Sequence, residues 1–73
     1  MTNQELKLTL TLMGLPASSS AYYDFEYKSI SIRIPVLGRI AIHTGQKGRT
    51  VIRYSDPAKA LKFIERYMEK HDT

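Results

Sequence analysis

The chain has 73 residues, which allows one domain over 1–73 and no more. It has no cysteine, which excludes a disulfide framework and any thiolate metal site and fits a reducing, cytoplasmic setting. Hydrophobic residues make up 42%, enough for a small core and against general disorder, while eleven Lys and Arg against seven Asp and Glu leave a net charge of +4.

Leu6, Leu8, Leu10 and Leu12 alternate with Lys7, Thr9, Thr11 and Met13. Period two predicts a first strand with a leucine face turned to a core. The apolar run at 8–15 also has a faint look of a secretory leader. Glu5 cancels Lys7 in front of it and threonines interrupt it, so no leader is expected. No stretch nears the ~20 apolar residues of a membrane helix. Residues 14–20 read as a loop.

The next segment changes phase. Tyr23, Phe25 and Tyr27 are odd, whereas Ile30, Ile32 and Ile34 are even. An unbroken strand would turn Asp24 and Glu26 toward the isoleucine face, and burying unpaired carboxylates is costly. A bulge or break is therefore expected near Lys28-Ser29, after which aromatic and isoleucine sets share one face. Pro35–Gly38 reads as a turn. Residues 39–44 form a strand with Ile40 and Ile42 inward. Gly45–Gly48 is a hairpin loop, and 49–54 close the meander with Thr50, Ile52 and Tyr54 inward.

Asp56-Pro57 is a helix start, with the carboxylate as cap and proline at the first helical position. Ala60, Leu61, Ile64, Tyr67 and Met68 follow at helical spacing with Phe63 beside them, and the helix should end near Lys70. The expected fold is α+β, a four-stranded antiparallel meander with one C-terminal helix packed on one face. Over about residues 28–70 this order resembles that of integrase arm-binding domains and of a plant DNA-binding group whose typical tryptophans are absent here. The resemblance is one of architecture and carries no residue over.

The charge is unevenly spread. Residues 27–55 hold six bases and no acid, +6, while the rest holds five bases and seven acids, −2. If the helix covers the even residues, the odd ones form an open face of Ser29, Ser31, Arg33, Arg39, Ala41, His43, Arg49, Val51 and Arg53, extended by Lys7, Thr9 and Thr11. Arginines on such a face can meet phosphates or guanine edges, and small side chains let a sheet approach a groove. The expected function is a small non-enzymatic module that contacts nucleic acid. Lys28, Arg33, Arg39, His43, Lys47, Arg49 and Arg53 are the candidate contacts. Duplex is preferred because the face lacks aromatics.

The alternative is a stoichiometric protein-binding regulator or inhibitor, of the kind encoded by phages and mobile elements. Its docking strip would be Tyr22, Tyr23 and Tyr27, which could also be an edge that pairs with another copy. Leu15 and its apolar neighbours offer a second route to a homodimer. An acidic protein surface would suit the basic middle as a partner. No metal or other cofactor is expected: His43 and His71 have no ligand at metal spacing, and His71 complements the helix dipole. Ser18–Ser20 have no histidine nearby in sequence, and Glu65 and Glu69 are offset by neighbouring bases, so catalysis is not expected.

Overall fold

A computed structural model describes residues 1–44 and 50–71, without the side chain of His71. The element order is α1 (Asn3–Leu12), β1 (Phe25–Tyr27), β2 (Ile30–Arg33), β3 (Ile40–Thr44), β4 (Thr50–Tyr54) and α2 (Pro57–His71). The strands form one antiparallel sheet in the order β1-β2-β3-β4. This is the expected meander with a C-terminal helix, preceded by a further helix.

That first helix corrects the strand expected over the leucines. Both of its ends are written in the sequence. Thr2 and Glu5 make a capping box: Glu5 N–H donates to Thr2 Oγ1 at 3.1 Å, and Thr2 N–H donates to Glu5 Oε1 at 2.8 Å. At the other end Gly14 adopts φ 89°. Leu15 N–H then reaches back to the Leu10 carbonyl, and Gly14 N–H to that of Thr11. This pair of bonds is a Schellman closure. Alternating leucines contain i, i+4 pairs as well as i, i+2 pairs. The helix buries Leu6 and Leu10 completely and leaves Leu8 61% and Leu12 79% exposed. Thr9 and Thr11 turn their hydroxyls onto the carbonyls of Glu5 and Lys7. Lys7, Thr9 and Thr11 thus belong to a helix and do not extend the sheet.

The strand count stays at four because the segment expected as one long strand is two. Lys28 takes φ 54°, the chain reverses, and β1 pairs with β2 through Phe25↔Ile32, Glu26↔Ser31 and Tyr27↔Ile30. The expected break falls at Lys28-Ser29, and Phe25 and Tyr27 share the isoleucine face, whereas Tyr23 does not. β1 is not an open edge along its whole length. Glu26 N–H donates to the Pro16 carbonyl and Ser18 N–H to that of Asp24, with a bridge from Ala17 to Phe25. Pairing of this edge with another copy would displace those bonds. Leu15 is 6% exposed, so it belongs to the core and gives no dimer contact as it stands.

The core lies between the sheet and the helices. Ile30, Ile32, Ile40 and Ile42 meet Leu6, Leu10, Ala60 and Ile64, all at 1% exposure or less. Each large aliphatic side chain so buried contributes roughly 1.5–3 kcal/mol. Asn3 fixes α1 to the β2–β3 connection by donating to the Pro35 and Gly38 carbonyls at 2.8 and 3.1 Å. Asp56 caps α2 as expected, its Oδ1 accepting from Ala58 N–H at 3.0 Å. α2 extends one residue past the expected end at Lys70. Among the described residues no helix is long and apolar enough to cross a membrane.

Candidate functional site

The register decides which side chains share the outer face. Ile32, Ile42 and Ile52 stand side by side toward the helices. Their neighbours therefore point the other way, since successive strand residues alternate. One outward row reads Glu26, Ser31, His43, Val51, and the next reads Arg33, Ala41, Arg53. Arg33 and Arg53 are two strands apart, about 10 Å between backbones. Arg39 is exposed just before β3 and has no register partner.

Two expected members leave this face. Lys28 lies at the β1–β2 turn with its ammonium 5.8 Å from the Tyr27 ring, and Tyr27 packs on the core side. Ser29 bonds the Tyr67 hydroxyl of α2, so it too has turned from the outer face. The positive φ at Lys28 reverses the chain at this point, so the parity of the strand is not carried through the turn. Lys47 and Arg49, with the Gly45–Gly48 loop, lie outside the described residues.

The expectation that the basic face lacks aromatics is overturned. The connection after Leu15 folds back across the outer side of the sheet. The Tyr23 ring meets His43 edge-on at 5.0 Å, and Tyr22 meets Tyr23 at 4.9 Å and 89°. The Arg33 guanidinium sits 4.4 Å from the centre of the Tyr22 ring. Ser18 and Ser20 shape this turn: Ser18 Oγ accepts from Ser20 N–H and Ser20 Oγ from Tyr22 N–H. Serine hydroxyls favour such turns. The serine run was thus the sequence signal for a folded return, though not for its direction.

The tyrosine strip is also divided. Tyr22 and Tyr23 stand on the outer face, whereas Tyr27 packs on the helix side, 6.2 Å from Tyr67. The three do not form one docking surface, because Tyr27 has the parity of Phe25 and is held at Ile30.

The acids near this face are engaged. Asp24 Oδ1 is 3.3 Å from the Lys7 ammonium, and its Oδ2 accepts from Ile34 N–H at 2.6 Å. Glu26 Oε1 accepts from Ser18 Oγ at 2.7 Å. A shallow cavity of about 260 Å3 opens beside Tyr22, between Lys7, Asp24 and Arg33. Chemically the site offers a stacking ring with a cation over it, a second ring against an imidazole, and further arginines. Among the described residues no three His, Asp or Glu side chains gather as metal ligands. No protein-family model, curated protein or solved structure matches the chain.

Proposed function

We propose that this protein is a non-enzymatic cytoplasmic module that binds nucleic acid through the outer sheet face, with unpaired strands preferred over duplex. The supporting observation is the placement of Tyr22 and Tyr23 beside Arg33 and His43 on the sheet face turned away from the two described helices. Sheets that bind single strands combine exposed rings, on which bases stack, with cations along the backbone. Magnitudes favour displacement of the resting contact. An exposed cation–π pair is worth about 0.5–1 kcal/mol. Stacking a base on an aromatic side chain is worth about 1–3 kcal/mol. A base can therefore take the Tyr22 ring and leave Arg33 for the adjoining phosphate. Rings standing on the face also oppose the flat approach that duplex groove reading requires.

Fluorescence anisotropy with labelled oligo(dT) and a duplex of equal length tests the proposal. Oligo(dT) should bind more tightly. With Arg33, Arg39 and Arg53 each meeting one phosphate, log K should fall against log salt with a slope of about −2. Tyr22→Ala should weaken binding roughly tenfold, or about 1.4 kcal/mol. No binding at low salt, or binding that Tyr22→Ala and Arg33→Ala leave unchanged, overturns it.

A further inference from the structure

The helix side of the sheet is unevenly covered. Ile40 and Ile42 are fully buried, but their register neighbours on β4, Tyr54 and Ile52, are only half-buried. β4 also ends the sheet: among the described residues nothing pairs with its far side. An open strand edge beside an incompletely covered apolar floor is a place where another strand can add.

The wall next to this edge is built by α2. Two adjoining cavities, of about 220 and 240 Å3, share Phe63 and Arg66 as lining. Tyr54 of β4 lines the first, and Tyr67, which reaches toward Tyr27 of β1, lines the second; the Phe63 ring lies 6.1 Å from Tyr54 and 6.5 Å from Tyr67. The floor is therefore aromatic. Its rim is cationic: Lys59, Lys62 and Arg66 line the first cavity, and Lys70 joins Arg66 at the second. Steps of three and four residues put these four on one stripe of the helix. Glu65 and Glu69 line neither cavity.

We propose that this groove along α2, which meets β4 at Tyr54, binds an acidic peptide that adds to β4 as a further antiparallel or parallel strand. Its backbone satisfies the open edge, an apolar side chain rests on Phe63, and flanking carboxylates meet Lys59, Lys62 and Arg66. Charge complementarity selects this occupant. A second copy of the chain would bring the same basic stripe, with Arg53 of the same strand, against itself, and like charges oppose that contact. A nucleic acid could meet the cations but could not extend the β-ladder. The groove lies across the sheet from Tyr22 and Arg33, so this proposal stands or falls separately from the nucleic-acid reading.

The test uses a labelled, end-capped peptide with a central leucine flanked by glutamates, and a control with lysines in their place. The acidic peptide should bind saturably and the lysine peptide should not. The double variant Lys62→Glu, Arg66→Glu, on exposed positions that leave the core intact, should weaken binding at least roughly tenfold. Phe63→Ala should weaken it too. Amide exchange read by NMR should slow at alternate residues of β4 when the peptide binds, which contact through side chains alone would not produce. The proposal is overturned if neither peptide or both bind, or if β4 exchange does not change. It also fails if oligo(dT) and not the acidic peptide is lost in the double variant.

Discussion

Lys28 holds a conformation that suits glycine or asparagine better. At φ 54° its side chain crowds the backbone, at a cost of about 1–2 kcal/mol for an ordinary residue. Glycine removes that cost but gives the unfolded chain more freedom, worth roughly 0.4–1 kcal/mol in the opposite direction. Lys28→Gly should therefore stabilise the protein slightly, by about 0.5 kcal/mol. A rise in the urea midpoint with an unchanged slope would show it. Lys28→Val should lower the midpoint. Glu5 gives a pH-dependent counterpart. The Thr2 backbone and hydroxyl bonds, with the nearby N-terminus, hold its carboxyl below the usual glutamate range. A lowered folded value means that the stabilising contribution is complete above the unfolded value. It is lost as pH falls through the folded one. The gap in Tm between the native chain and Glu5→Gln should be open at neutral pH and close in acid. A gap constant down to pH 3, roughly the foot of the carboxylate range, would remove the capping box from the account of α1.

At the scale of elements, α1 separates what periodicity tells from what it leaves open. Four alternating leucines satisfy a strand of period two, and they also supply i, i+4 pairs to a helix. Periodicity alone could not decide between them. The end signals could: Thr2 with Glu5 three residues on, and Gly14 just past the last leucine, are helix boundaries. Helix and strand differ in which leucines they bury, and that makes the element testable. Leu10→Ala should cost about 2–5 kcal/mol, because its side chain is wholly enclosed. Leu12→Ala, at 79% exposure, should stay within about 0.5 kcal/mol of the native chain. A strand would make the two losses alike. The rest of the meander was legible for a different reason. Asp24 and Glu26 were out of phase with the isoleucines, so a bulge or break near Lys28-Ser29 was needed to keep both carboxylates out of the core, and the structure supplies it as a chain reversal. α2 was legible from its cap and apolar stripe together.

For the whole molecule, the positive charge falls on two surfaces divided by the sheet, one from the middle of the sequence and one from α2. Arg33 and Arg53 were legible as outward residues because strand parity is local. Tyr22 and Tyr23 were not, because their position depends on how a loop returns over the sheet, and no short-range pattern encodes that direction. The stripe on α2 was hidden by arithmetic: its four bases lie in the part of the chain whose total is −2. Separation in space sets a test of whether the surfaces act independently. Facing layers in a sheet protein lie about 10 Å apart, and the screening length at physiological salt is about 8 Å. Reversing Lys62 and Arg66 should therefore change oligo(dT) affinity by less than about threefold at that salt, since the charges act only through a screened field. If the proposed phosphate contacts form, Arg33→Ala with Arg53→Ala should weaken the same binding roughly tenfold or more. Lowering the salt to about 0.01 M lengthens screening to about 30 Å, and the α2 reversal should then weaken oligonucleotide binding visibly. Equal losses from the two sets of variants at physiological salt would mean that one strand wraps around the β4 edge and touches both surfaces. No loss from the α2 reversal at either salt would place the bound strand farther from β4 than Arg53 allows.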